Sequence, residues 1–425
     1  MKGSCAEDDK FQVINICTND FGGAGKAALR VHQSLLNCSV DSRFFVRQSR
    51  SCAPQVFECS SKFGVYSSKL VSVLRRNIQY RKEYCMYSVA DESQGDILSE
   101  ILEKGLSPDV IVLHWISGFV SLDDIVRLYD EFKCKIYWYA LDMSPFTGGC
   151  HFSWQCRGYE STCSDCPASL HNYTIDNTSQ YLRKKKEVIQ YCDISAIAAN
   201  NWLYDQIMRS SLPFKNIHKC YLPLKSDVFY DHKSGSDYKN IDDSVHILFG
   251  SQKIDDPRKG VVYFIEAMKE LSGLLNQLDE EVQLPTILLP GNVSGELTEK
   301  IPFKVKLIPF ANNDVELSRI YNLSELFVST AIEDSGPMMI SESLLCGTPV
   351  VSFEMGVAPE LLKNGYNGYL ALNKDSRELA SKILQFLRLN PAERAIMRRN
   401  ARASVESIMS EGKACHNLLN TIYTH

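Results

Sequence analysis

The chain has little that would commit it to export, to a membrane or to a polyanion. Its first ten residues, MKGSCAEDDK, contain no apolar core of the kind an export signal needs, so the cytoplasm is the expected compartment. No run of eighteen or more apolar residues occurs, which argues against a membrane-spanning helix. Neither sign of charge dominates. A net charge of -5 over 425 residues gives no excess for a polyanion, so nucleic acid is not an expected partner. Internal repeats and low-complexity tracts are absent as well. So are the compact nucleotide signatures GxGxxG and GxxxxGK[ST].

What remains is an ordinary globular composition, 44% hydrophobic and 23% charged, on a chain too long for one hydrophobic core. Two domains are therefore expected. In both halves short apolar, β-branched runs alternate with segments of helical period, the pattern of parallel α/β sheets. Strands are expected at 11–17, 42–46, 109–115, 135–141 and 194–199, then at 245–249, 286–289, 304–308, 326–329 and 350–353. Amphipathic stretches such as 260–275 and 314–321 lie between them. The polar stretch 231–244, DHKSGSDYKNIDDS, is the expected boundary between domains 1–230 and 231–425. Ligands of such folds sit at the carboxyl ends of the strands and in clefts between domains. The helical tail 390–425 is free to cap either half, including by crossing back to the first.

After the first strand, FQVINIC leads into TNDFGGAGKAALRVHQSLL. Gly22, Gly23 and Gly25 permit a tight turn, and the helix that follows offers its amides to an anion. The same loop also reads as a plain strand-to-helix turn. In the second half, HILFGSQKIDDPRKGVVYFIEAM places Lys253, Arg258 and Lys259 in or beside a polar loop after a strand, which suits a diphosphate. The segment SELFVSTAIEDSGPMMISESLLCGTPVVSFEMGVAPELL then gives a buried strand, an acidic turn, a helix and a further strand. Carboxylates at Glu333, Asp334 and Glu342 suit the hydroxyls of a sugar or a ribose, and the Gly336-Pro337-Met338 turn exposes amides beside them.

The stretch EDSGPMMISESLLCGTPVVSFEMGVAPELLKNGYNGYLA resembles the donor-site signature of the retaining glycosyltransferases of family four. GSQKIDDPRKG resembles their basic phosphate loop, and NDFGGAGKAALRVHQSL their N-terminal glycine loop. The three motifs stand in the family's order over most of the chain. The resemblance implies a GT-B fold: two Rossmann-like parallel-sheet domains facing across a cleft, the first for an acceptor and the second for the donor. It implies transfer from a UDP- or GDP-sugar to a glycan or lipid-linked acceptor, with retention of configuration. Lys253 and Lys259 would meet the diphosphate, Glu342 the ribose, and Gly22, Gly23 and Gly25 the phosphates. Family spacing gives Asp334 as the sugar-facing acid, while a family variant reading EDxxP gives Glu333, which is favoured here. No metal is required at the diphosphate, because lysines and helix-terminus amides meet the leaving charge. Family members often carry a histidine at the end of the fourth N-terminal strand. Leu141 stands there, followed by Asp142, so Asp142 and His114 become the reactive-side candidates. A binding protein of the same fold, without turnover, is the competing reading.

Of the fifteen cysteines, Cys17, Cys38, Cys134 and Cys192 sit singly in apolar stretches and are expected as small buried hydrophobes. FTGGCHFSWQCRGYESTCSDCPA is different: Cys150, Cys156, Cys163 and Cys166 cluster in an insert at 148–168. Four thiolates in a compact loop suit a structural zinc, with an iron–sulfur cluster or disulfides as alternatives. The FTGGCH…C…C..CP pattern resembles a family-four subgroup associated with bacterial surface polysaccharide synthesis. Basic stretches at 72–84 and 181–188 are candidates for peripheral contact with the inner face of a membrane.

Overall fold

The structure, a computed structural model, describes residues 11–59, 80–89, 91–170, 177–232, 244–251, 253–279 and 282–424. Residues 1–10, most of the basic stretch 72–84 and most of the polar stretch 231–244 lie outside the described residues. The chain divides into two compact units. One reaches to Pro223 and takes in Ala414–His425; the other is Leu224–Lys413. The last helix, Glu411–Thr424, therefore groups almost wholly with the first unit.

The first unit holds seven parallel strands: β1 Gln12–Asn19, β2 Asp41–Gln48, β3 Val56–Glu58, β4 Val110–Leu113, β5 Lys135–Ala140, β6 Ser195–Ala198 and β7 Ile217–Lys219. Their order is β3-β2-β1-β4-β5-β6-β7. Parallel neighbours cannot be joined by tight turns, so helices cross between them and cover both faces. That is why β4 (VIVL) and β6 (SAIA) are buried at every position rather than alternating. Helix Leu122–Phe132 begins with a reciprocal cap between Ser121 and Asp124.

The second unit holds six parallel strands: β8 Val245–Phe249, β9 Pro285–Pro290, β10 Lys304–Ile308, β11 Leu326–Ser329, β12 Val350–Phe353 and β13 Gly368–Ala371. Their order is β10-β9-β8-β11-β12-β13. Helix Pro391–Met409 starts with the Asn390–Glu393 capping box and a proline in its first turn.

Among the described residues all ten expected strands are present, and three more, β3, β7 and β13, were not expected. Each of the three lies at a sheet margin and has only three or four residues, too few to show a period. β13 opens on Gly368, where a Cβ would meet the Val350 carbonyl oxygen at 2.1 Å. Cys17, Cys134 and Cys192 are buried as small hydrophobes. Cys38 is a correction: it lies exposed at the end of helix Gly22–Asn37, and its sulfur is paired with that of Cys415.

Candidate functional site

In the second sheet the chain runs outward from β8 to β10, then returns to lay β11 on the other side of β8. The crossovers diverge there, and loops at the carboxyl ends of such strands part to leave room for a ligand. The loop after β8 and the turn after β11 are tied together. Ile332 N–H donates to the Arg258 carbonyl at 2.8 Å, and Thr330 Oγ1 donates to the Lys259 carbonyl at 2.8 Å. Gly260, at φ +66°, closes this junction: a Cβ there would lie 2.0 Å from the Thr330 oxygen.

Across the junction Lys259 Nζ forms an ion pair with Asp334 Oδ2, while Gly336 N–H donates to Asp334 Oδ1 at 3.1 Å. Burial acts to raise the Asp334 pKa. The Lys259 ammonium and these hydrogen bonds outweigh it and hold the carboxyl below its ordinary 3.8. Arg258 is turned aside by its own two-toothed contact with Asp256, at 2.5 and 3.2 Å. Lys253 is exposed, Glu333 is buried, and Gly336, Pro337 and Met338 are half-buried. Of the two adjacent acids it is Asp334 that meets the lysine.

Helix Met338–Leu345 starts directly after Pro337 with no capping side chain and no acid in its first turn. Its amide end therefore keeps the positive character that favours an anion. Glu342 lies inside this helix, buried, and accepts a hydrogen bond from Tyr321 Oη at 2.9 Å. The Gly347-Thr348-Pro349 signature explains that burial. Thr348 Oγ1 donates to the Tyr321 carbonyl at 2.8 Å, and Ser343 Oγ donates to the Thr348 carbonyl at 3.0 Å. These bonds lock the helix against Asp314–Asn322, the helix that carries Tyr321.

In the first sheet the corresponding divergence lies between β1 and β4. The glycine loop follows β1. Gly25 is required because a Cβ would sit 2.5 Å from the Asn19 oxygen, whereas Gly22 and Gly23 face open space. Asp20, which sequence reasoning did not single out, anchors the loop after β2. It accepts from Ser49 Oγ, Arg50 N–H, Ser51 N–H and Ser51 Oγ at 2.5–3.0 Å.

At the carboxyl end of β5, Asp142 is buried and accepts from Ser144 N–H at 2.8 Å. Its other oxygen lies 2.7 Å from His151 Nδ1. Burial acts to raise the Asp142 pKa, but His151 and Ser144 bring it below the ordinary value. His151 Nε2 faces the hydroxyls of Ser88 and Ser117, at 3.1 and 3.2 Å. Trp115 Nε1 lies 2.9 Å from the same Nδ1 that faces Asp142. A protonated Nδ1 serves the carboxylate and a bare one serves the indole, so the two contacts compete. His114 is placed differently. Its ring is buried, bonded to Asn15 Oδ1 at 3.0 Å and stacked on Tyr139. The histidine beside Asp142 is thus His151, supplied by the cysteine-rich insert.

Cys150, Cys156, Cys163 and Cys166 line one small cavity of about 20 Å³. All four are free thiols, and among the described residues no three His, Cys, Asp or Glu side chains stand in a metal-binding arrangement. In the basic stretch 181–188, Lys184 pairs with Asp91 and Asp123, and Lys185 is fully buried; Arg183 and Lys186 remain exposed. Among the described residues no helix is long and apolar enough to cross a membrane.

Residues 292–404 match the family described as Glycosyl transferases group 1. A D-inositol 3-phosphate glycosyltransferase of Mycobacterium sp. (strain KMS) is 28% identical over 155 residues, covering 32% of this chain. The match spans only 34% of that relative's length. Likeness to solved structures runs over the whole chain. A sucrose-phosphate synthase from Thermosynechococcus elongatus superposes with a TM-score of 0.66 at 13% identity, covering 98% of each chain. Anabaena HepE in complex with UDP-glucose superposes with a TM-score of 0.64 at 14% identity, covering 97% of this chain and 100% of that one. At such identities the likeness is one of fold. The chain has the GT-B fold, built from two Rossmann-like units, and the residues that match Glycosyl transferases group 1 lie in the second.

Proposed function

We propose that the chain is a glycosyltransferase that moves a sugar from a nucleotide-sugar donor to a glycan or lipid-linked acceptor, with retention of configuration. The observation that carries this reading is the Lys259–Asp334 pair at the divergence point of the second sheet. Departure of a nucleoside diphosphate develops negative charge on its terminal phosphate. Lys259, the exposed Lys253 and the uncapped end of helix Met338–Leu345 would stabilise that charge, without a metal at the diphosphate. Glu342 is the proposed ribose acid. Glu333, favoured by the resemblance to the EDxxP variant, is the proposed sugar-facing acid, with Asp334 the alternative. In the first unit, Gly22, Gly23 and Gly25 are the proposed phosphate-side loop, and Asp142, with His151 upon it, the proposed reactive-side group.

HepE was solved with UDP-glucose, so UDP-sugars are the first donors to test, ahead of GDP-sugars. Resemblance of the cysteine-rich insert to the polysaccharide subgroup supports surface polysaccharide synthesis as the setting. For a lipid-linked acceptor, Arg183 and Lys186 are the exposed cations that would meet an anionic surface. Co-sedimentation with anionic vesicles tests that contact.

The test of function is calorimetric titration with UDP and GDP, paired with mass-spectrometric screening of nucleotide sugars for hydrolysis and transfer. Nucleotide binding with turnover of one donor is expected. Binding with no turnover across the panel would replace the transferase reading with the binding-protein one.

A further inference from the structure

The cysteine-rich insert is the part of the molecule that the donor chemistry leaves unexplained. Its four thiols come from separate short turns: Cys150 after the turn Ser144–Phe146, Cys156 before Gly158–Glu160, and the Cys163/Cys166 pair after it. All four line one cavity too small for an organic ligand. The chain is shaped to bring them there. A Cβ on Gly148 would meet Cys163 Cβ at 2.9 Å and Sγ at 3.1 Å, and one on Gly158 would lie 3.4 Å from Cys156 Sγ. Cys163 and Asp165 both take left-handed backbone, at φ +52° and +50°, which non-glycine residues adopt at a cost.

Two further sets of contacts surround the cavity. The sulfurs accept amide hydrogens: Cys156 from Gly158 N–H at 3.4 Å, Cys163 from Gly148, and Cys166 from Ala168 and Ser169. Burial pushes the Cys150, Cys163 and Cys166 thiols up, and the amides at Cys163 and Cys166 act against it. Beside the cluster stands Lys185, fully buried on helix Asn177–Tyr191. Its ammonium donates to the carbonyls of Ser144 and Thr147, at 2.7 and 2.8 Å, rather than to a carboxylate. Burial acts against its charge, and Cys163 and Cys150 are the thiols that act in the other direction.

We propose that Cys150, Cys156, Cys163 and Cys166 form a tetrathiolate site for one zinc ion, with Lys185 as its buried counter-charge. Each thiol releases its proton to solvent as its sulfur takes up a bond to the metal. The dication on four thiolates leaves two negative charges, which Lys185 and the amides partly offset. The sulfurs stand as free thiols around the cavity, so binding draws them inward to tetrahedral spacing. His151 adjoins Cys150, and its backbone is held by Met143 and Tyr84. The metal would thereby fix the loop that presents His151 to Asp142.

The test begins with the full-length protein, expressed in zinc-supplemented medium and purified without chelator. Elemental analysis should find one zinc per chain, released as a mercurial reagent titrates these thiols. Cobalt substitution should give the thiolate-to-metal absorption and intense visible bands of a tetrahedral sulfur site. Cys156→Ser and Cys166→Ser should abolish stoichiometric metal, whereas Cys52→Ser, at an exposed cysteine outside the insert, should retain it. Lys185→Met should weaken zinc affinity in competition with a chromophoric chelator, by about 10- to 100-fold. Stripping the metal should expose the insert to protease cleavage. Wild-type protein that takes up neither zinc nor cobalt overturns the proposal. So does an iron chromophore, or a thiol count showing disulfides among the four. Because the wild-type measurement needs no variant, misfolding of a cysteine mutant cannot obscure the outcome.

Discussion

Replacing either member of the Lys259–Asp334 pair should change nucleotide binding, and in opposite directions. The lysine side chain is 26% exposed and the aspartate 10%, so a diphosphate reaching the ammonium must compete with a charge already bound to it. Lys259→Met removes one charge-assisted hydrogen bond to the nucleotide, worth about 1.5–3 kcal/mol. At about 1.4 kcal/mol per decade, UDP should bind roughly 10- to 150-fold more weakly. Asp334→Asn keeps the shape and the acceptor for Gly336 but removes the competing charge. UDP affinity in that variant should rise, by up to about tenfold.

The same substitution has a signature in acid. Asp334 has a folded pKa below 3.8, so its contribution to stability is present above 3.8 and is lost as pH falls through the lower folded value. Wild-type urea midpoints should drop over that window, and those of Asp334→Asn should drop less. Titration calorimetry with UDP on wild type, both single variants and the double variant is the assay. An ion pair that only braces the two loops predicts weaker binding in both variants. Equal losses, or an unchanged affinity in Lys259→Met, refute the diphosphate assignment.

Glu342→Ala should weaken UDP binding by about 1–3 kcal/mol if its carboxylate serves the ribose. Tyr321→Phe, which removes only the internal hydrogen bond, should leave UDP affinity nearly unchanged while lowering the melting temperature; matched affinity losses would make Glu342 a packing residue. His114 is pushed down to about 3, by burial and then by the nearby His32, so the folded protein holds it neutral. Its stability contribution is complete above the ordinary 6.5 and declines toward pH 3, at up to about 1.4 kcal/mol per pH unit. His114→Gln should flatten that decline in urea titrations, and an unaltered slope would contradict the core assignment. Gly260→Ala should cost about 1–2 kcal/mol from its left-handed backbone alone, and more from the approach to Thr330. A melting temperature equal to wild type would show that the junction tolerates a side chain.

Much of the fold could be read in advance because parallel strands buried on both faces leave continuous apolar runs such as VIVL, VHILF and LFVS. The margins were silent for the same reason: β3 and β7 are three residues long and half-buried or exposed, so burial imposes no pattern on them. The division of the chain obeys another rule. Polar composition marks loops, and 231–244 is polar, but the units part at Pro223, where no composition change announces it. Return of the last helix to the first unit depends on contacts such as Tyr137 Oη with the Thr421 carbonyl, separated by 284 residues. No local window contains such a pair.

The proposed donor residues lie in three short motifs, each joined to one strand end, so a reading along the chain gathers them. The proposed reactive side is assembled from loops. Asp142 acquires His151 only once the insert folds back; His151 in turn depends on Ser88, Trp115 and Ser117, which come from two other segments. The same insert draws Lys185 from helix Asn177–Tyr191, burying one lysine of what reads as a basic surface run against the carbonyls of Ser144 and Thr147. If a metal holds that insert, acceptor-side geometry becomes conditional on an ion, while the donor loops, secured by Gly260 and by the Thr348 contacts, do not depend on it. Metal depletion should then leave UDP affinity intact while reducing turnover, a separation that a shared folding defect cannot produce.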